Sequence, residues 1–213
     1  MDRSGSRWAI YTAIICFDGS LEYGPVKILE TGRHLKRPEL VYNSRNREMI
    51  LFWQQSQGRN NYYDIFARNL YDGTSQYSKN IKVSNITGSH ENPALVFDQE
   101  NNQIFVVWEH WWLGSGNRRI LGAIVKGSAS VTSMLLAQNG FHPRVAWDSV
   151  RGDYLAVWNS VKSGSQVIEG AYVSPSTGYD TTVCFKTEPF VLARGQVGNP
   201  DTVSYTHLRA HET

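Results

Sequence analysis

Apolar residues along this chain occur in short runs of four to six positions or alternate with polar residues. The runs are rich in Val, Ile, Phe, Tyr and Trp, and Asn, Asp, Gly and Ser separate them. This pattern is typical of β-strands, in which successive side chains point to opposite faces of a sheet. No segment of ten or more residues spaces its apolar positions as an amphipathic helix does. The sequence therefore predicts an all-β protein with little helix.

The pattern of runs and turns recurs along the chain. Three times a Pro is followed fifteen residues later by a Trp, within "RPELVYNSRNREMILFWQ", "NPALVFDQENNQIFVVWE" and "HPRVAWDSVRGDYLAVWN". The pairs are Pro38 with Trp53, Pro93 with Trp108 and Pro143 with Trp158. Because one large indole recurs in each unit, we predict that the three Trp side chains occupy equivalent and mostly buried packing positions.

Each unit contains four strand-like runs, which are "ELVY", "MILFW", "DIFARNL" and "NIKVSN" in the first. A period of about 40 to 50 residues with four strands is typical of a β-propeller blade. The recurring Pro, turn residue, Trp and closing Gly resemble β-propeller repeats of the kelch and TolB-like style, over residues 11–200. The resemblance implies a propeller and an extracellular or cell-surface location. It does not imply an activity, since these repeats occur in binding modules and in enzymes.

The repeat also predicts how the chain is divided. We expect a partial blade over residues 1–36, complete blades over 37–90, 91–140 and 141–197, and the start of a further blade over 198–202. Closed propellers usually have four to eight blades. The expected architecture is therefore a propeller fragment, an open arc of about three complete four-stranded blades with partial blades beside them.

The last residues of the chain do not follow the repeat. From Val203 the sequence reads "VSYTHLRAHET", which resembles the translation of a sequencing-library adapter. We therefore expect residues 203–213 to be a non-native tail, and we assign no function to the two His residues within it.

Composition and charge narrow the classes of partner. The chain has 213 residues, with 21 Lys and Arg against 19 Asp and Glu, and a net charge of +2. A nucleic-acid-binding surface needs clustered Lys and Arg, whereas the basic residues here are scattered, so we predict no nucleic-acid partner. No run of eighteen apolar residues is present, so we predict no membrane span.

The motifs that carry common chemistries are missing from the sequence. It has no P-loop, GxGxxG, HExxH, GxSxG or CxxC pattern, so we predict no cofactor, no metal and no catalytic residue. Asp64, Glu109 and Glu169 near strand ends are the candidate acids of an alternative function, a propeller glycoside hydrolase or lyase. Their spacing selects no two of them as a catalytic pair.

One loop departs from its equivalents in the other units. After the repeated Trp the second unit reads "EHWWLGSGNRR", where the first reads "QQSQGRNNYYD" and the third "NSVKSGSQ". The added aromatics His110, Trp111 and Trp112, with Tyr62 and Tyr63 from the first unit, suggest a platform that stacks on a sugar ring or covers a partner's apolar group. The alternative is a buried turn between blades. If the platform exists, both indoles should be at least partly exposed on one face, near the two Tyr rings.

Together these features favour a non-catalytic binding module, for a carbohydrate or a protein ligand, within a larger surface or secreted protein. The propeller enzyme remains one alternative. A purely structural spacer of repeats is the other.

Overall fold

The chain is all-β. A computed structural model describes residues 7–58, 62–70, 79–112, 114–126, 133–175, 183–195 and 198–200, and within these ranges it contains strands and no helix. The prediction of an all-β protein is confirmed. The expected non-native tail, 203–213, lies outside the described residues. The strands are β1 Trp8–Ile15, β2 Leu21–Thr31, β3 Leu35–Asn43, β4 Glu48–Ser56, β5 Tyr63–Leu70, β6 Ile81–Lys82, β7 Ser89–Asp98, β8 Gln103–Trp111, β9 Arg119–Val125, β10 Ser133–Ala137, β11 Phe141–Asp148, β12 Asp153–Lys162, β13 Ser165–Pro175, β14 Val183–Phe185 and β15 Phe190–Arg194.

The strands form one hairpin and three larger antiparallel sheets. Strands β1 and β2 pair as the first hairpin. Sheet one has the order β3-β4-β5-β6 and sheet two the order β7-β8-β9-β10. Sheet three has the order β11-β12-β13-β14, and β15 also pairs with β13. Along β3 to β6, β7 to β10 and β11 to β14, each strand therefore pairs with the next strand in sequence, as antiparallel connections allow.

The repeated Trp residues lie at equivalent places on the second strand of each sheet. Trp53, Trp108 and Trp158 have no exposed surface. Each faces a neighbouring layer: Trp53 packs with the first hairpin, Trp108 with sheet one and Trp158 with sheet two. Burying a large indole between layers removes an extensive apolar surface from water, so these contacts hold adjacent sheets together.

A β-bulge explains the distance between each Pro and its Trp. In every sheet the register of the first two strands shifts so that two residues, the Pro and the residue before it, stand opposite the single Trp. The residues before the Pro, Arg37, Asn92 and His142, have φ values of 49°, 52° and 52°. A bulge leaves its extra residue outside the ladder, so the missing N–H of Pro costs no strand-pairing hydrogen bond.

The sheets pack through their first strands and through shared apolar clusters. Strand β7 contacts both β3 and β11. Phe105 and Val107 of sheet two lie in one buried cluster with Tyr154 and Trp158 of sheet three.

The two ends of the sheets are named as follows. At the turn end, the first strand of each sheet turns into the second. At the opposite end, the cleft end, the second strand leads into the third. The described residues include no helix that could cross a membrane.

Candidate binding cleft

The two indoles of the unusual loop have separate surroundings. Trp111 ends β8 and is half-buried; its Nε1 donates to Glu91 Oε1 at 3.0 Å, and the Tyr62 ring meets it edge-on at a centroid distance of 5.7 Å. Trp112 is 41% exposed, and its Nε1 donates to the Thr87 carbonyl oxygen at 2.6 Å. The structure thus brings Trp111 and Tyr62 together and leaves Trp112 against a different loop.

The other two predicted aromatics are interior residues. Tyr63 is only 5% exposed, and Lys36 Nζ lies 4.5 Å from the centre of its ring. His110 is 1% exposed and lies against Trp112, with a ring-centroid distance of 5.0 Å. Neither side chain offers a face to a ligand, so the five predicted residues do not form one continuous platform.

His110 belongs to a buried pair of imidazoles with His90, whose ring centroid is 4.9 Å away. Trp108 Nε1 donates to His90 Nδ1 at 3.0 Å, so the His90 proton is on Nε2, which lies 2.9 Å from the Ile86 carbonyl oxygen. Both ring nitrogens of His110 are buried and have no hydrogen-bond partner in the described part of the chain. Burial lowers the pKa of His110 to about 4, and the neighbouring His90 and Arg119 act in the same direction. His110 is therefore a neutral core residue near pH 7.

Glu109 joins sheet two to sheet three at the cleft end. Its buried carboxylate accepts a hydrogen bond from Asn92 Nδ2 at 2.6 Å and one from the His142 backbone N–H at 2.8 Å, both on Oε1. The Arg118 guanidinium donates to Oε2. Asn92 and His142 are the bulge residues that precede the repeated Pro in their sheets, and the sequence analysis did not single them out. The signal in the sequence that could have identified them is their position directly before each repeated Pro, which no unit fills with Gly.

Beside Glu109 a cleft of about 380 Å³ lies between the β8–β9 loop and sheet three. Its polar wall comes from the exposed amides of Asn117 and Asn139, the Arg118 guanidinium and the buried Ser160, and Phe141 adds an aromatic ring. The cleft is therefore rich in hydrogen-bonding groups and has one apolar ring face. These residues come from three segments that are distant in sequence, so no local motif indicated the site.

A glycine fixes the floor of this cleft. The Gly140 N–H donates to the Arg118 carbonyl oxygen at 2.8 Å, which ties the β8–β9 loop to the start of β11. A Cβ atom on Gly140 would lie 2.6 Å from Ile120 and 2.8 Å from Trp158. Only a residue without a side chain allows this close approach.

The three carboxylates considered for glycoside hydrolysis have structural partners. Asp64 pairs with Lys82 at 2.9 Å and accepts from Ser84 Oγ at 3.2 Å. Glu169 accepts from Ser160 Oγ at 2.5 Å and pairs with Lys162. Like the Glu109 pair with Arg118, these contacts join neighbouring segments of one sheet. Across the described ranges no three His, Cys, Asp or Glu residues are grouped as metal ligands.

Comparison with known proteins identifies no family for this chain. No protein-family model and no curated protein matches the chain. Among solved structures, the chain is similar to an N-acetylgalactosamine deacetylase from F. plautii in complex with blood group B trisaccharide, with a TM-score of 0.47 and 11% identity. The match covers 66% of this chain and 49% of that chain. A likeness at this level carries no argument about function.

Proposed function

We propose that the chain is part of a β-propeller and that it binds carbohydrate, in a surface or secreted protein. Two four-stranded sheets and one five-stranded sheet, each with the same bulge and the same buried Trp, support the propeller, because a radial array repeats one unit. The contacts of β7 with both β3 and β11 are also what a radial array requires, since first strands then line the axis.

The carbohydrate proposal rests on the chemistry of the cleft. A sugar presents several hydroxyl groups and an apolar face of C–H bonds, so its site needs amide or guanidinium groups together with an aromatic ring. Asn117, Asn139, Arg118 and Phe141 provide this combination. The charge of Arg118 is balanced by Glu109, so the cleft favours a polar, uncharged ligand over an anion.

A glycan array followed by calorimetry tests the proposal. We expect the wild-type chain to bind at least one glycan, and Asn139→Ala to weaken that binding by about 1 kcal/mol, or roughly fivefold, because it removes a hydrogen-bonding amide. Asn139 is exposed, so its removal should leave the fold intact.

Gln138→Ala is the matched control, because Gln138 is an exposed amide next to Asn139 that does not line the cleft. It should bind the glycan as the wild type does. A silent array, or equal binding by the Asn139→Ala variant, would count against carbohydrate recognition in this cleft.

A further inference from the structure

At the turn end, sheets two and three are joined through a buried phenol. The Tyr154 hydroxyl donates to Asp98 Oδ2 at 2.7 Å and accepts from Gln103 Nε2 at 2.9 Å. Its ring stacks on Phe105 with a centroid distance of 4.5 Å. Burial, together with the nearby Asp98, raises the pKa of Tyr154, so the hydroxyl keeps its proton and donates it. The Asp98 carboxylate and the Gln103 amide of sheet two thus bind the phenol of Tyr154 from sheet three.

Among the residues that the structure describes, the equivalent place between sheets one and two has the polar pair but no phenol. Asn43 and Glu48 occupy the repeat positions of Asp98 and Gln103, with amide and carboxylate exchanged, and Asn43 Nδ2 donates to Glu48 Oε1 at 3.4 Å. Ile104 occupies the repeat position of Tyr154, four residues before the Trp. A cavity of about 270 Å³ lies here.

The cavity has a polar wall that suits the hydroxyl group of a phenol and an apolar wall that suits its ring. Glu48 is buried, and besides Asn43 it accepts from Asn46 Nδ2 at 3.0 Å and Asn69 Nδ2 at 3.2 Å. A ligand hydroxyl would find there a carboxylate to donate to and amides to accept from. Ile50 and Ile104 supply an apolar wall. An engineered apolar cavity of about 150 Å³ admits benzene, so the available volume is sufficient for one substituted ring.

We propose that the cavity between sheets one and two binds a single aromatic ring that carries one hydroxyl group. The ring lies against the apolar wall and the hydroxyl donates to Glu48, as the Tyr154 hydroxyl donates to Asp98 one sheet further on. Asn46 and Lys126 line the cavity and are exposed, so the site is open to solvent. It is at the opposite end of the sheets from the carbohydrate cleft and does not depend on that proposal.

Titration with p-cresol, followed by chemical shifts or calorimetry, tests the site. We expect p-cresol to bind, and toluene, which has the same ring without the hydroxyl, to bind at least tenfold more weakly. N-acetyltyrosinamide distinguishes the source of the ring: binding as tight as that of p-cresol would indicate a tyrosine of a peptide, and weaker binding a free phenol. Equal binding of toluene and p-cresol would overturn recognition of the hydroxyl.

Ile104→Tyr is the decisive variant, because its own phenol would fill the cavity as Tyr154 does between sheets two and three. It should raise the melting temperature and lower p-cresol affinity at least tenfold. Ile104→Phe fills the cavity without a hydroxyl and serves if the first variant does not fold. Unchanged p-cresol binding in whichever variant folds, or no binding to the wild type, would refute the site.

Discussion

At the scale of single residues, the tight turns show how one position with positive φ is used three times. Arg47, Asn102 and Gly152 are equivalent and have φ values of 55°, 51° and 68°. Only the third unit has Gly at this position, and Gly adopts this conformation without steric cost. The sequence predicted a turn from the preceding Asn or Asp, but it did not predict the positive φ that the structure shows at this position.

Replacing Arg47 with Gly should therefore stabilise the fold. The left-handed conformation costs a residue with a Cβ about 1–2 kcal/mol, and Gly avoids this cost. The greater flexibility of Gly in the unfolded chain opposes the gain by about 0.5–1 kcal/mol. We expect the free energy of unfolding in urea to rise by about 0.5–1 kcal/mol. Gly152→Ala is the reverse control: nothing lies within 4 Å of the added Cβ, so its loss of about 1 kcal/mol would come from the backbone alone. A less stable Arg47→Gly variant would contradict this account.

The buried His110 makes stability depend on pH. Because its pKa falls from an ordinary 6.5 to about 4 in the folded protein, the unfolded chain binds the proton more readily between these values. Stability should therefore be lost as the pH falls from 6.5 towards 4. His110→Gln cannot titrate, so its free energy of unfolding should fall less over this range than that of the wild type. His34→Gln controls for the loss of any histidine, and equal slopes in all three proteins would count against His110.

At the scale of elements, periodicity was a good guide to strands and a poor guide to loops. Alternation and the Pro-to-Trp distance predicted the second strand of each sheet and its buried indole, because period and burial depend on local sequence. The Glu109 contacts depend on a bulge residue directly before a Pro, a position that usually favours extended backbone. Adjacent Trp111 and Trp112 also meet different neighbours, which a shared sequence context does not reveal.

Glu109 should therefore be a stability residue for the joint between sheets two and three. Glu109→Gln keeps the shape but places an NH₂ group opposite donors, so we expect the free energy of unfolding to fall by about 1–3 kcal/mol. Glu100→Gln, on an exposed turn, should change it by less than about 0.5 kcal/mol. Chemical denaturation of both variants measures the difference. A Glu109→Gln variant as stable as the wild type would show that the carboxylate charge is dispensable.

At the scale of the whole molecule, the first hairpin differs from the three sheets. It has two strands, and several of its apolar side chains are exposed, including Ile15 at 65%, Tyr11 at 57% and Leu21 at 56%. Contiguous exposed apolar surface usually marks a contact site. The three sheets were predictable from the repeat, whereas the cleft was not, because its walls come from segments that only folding brings together.

We expect the chain to self-associate through this hairpin. Phe17, in the turn that joins β1 to β2, is fully exposed, so Phe17→Ser should shift sedimentation velocity profiles towards the monomer at high protein concentration. Val150→Ser is the control, because Val150 is 74% exposed in a turn of sheet three. A wild-type chain that sediments as a monomer at every concentration would exclude this contact.

The two ties between sheets two and three also determine how a ligand would enter the cleft. The Glu109 bond to the His142 N–H at one end and the Tyr154 bond to Asp98 at the other link the two sheets at both ends. We therefore expect the walls to hold their spacing before a ligand arrives, so that little conformational freedom is lost on association. Stopped-flow traces should then show one phase whose observed rate rises linearly with sugar concentration, without the plateau that a slow opening step would impose.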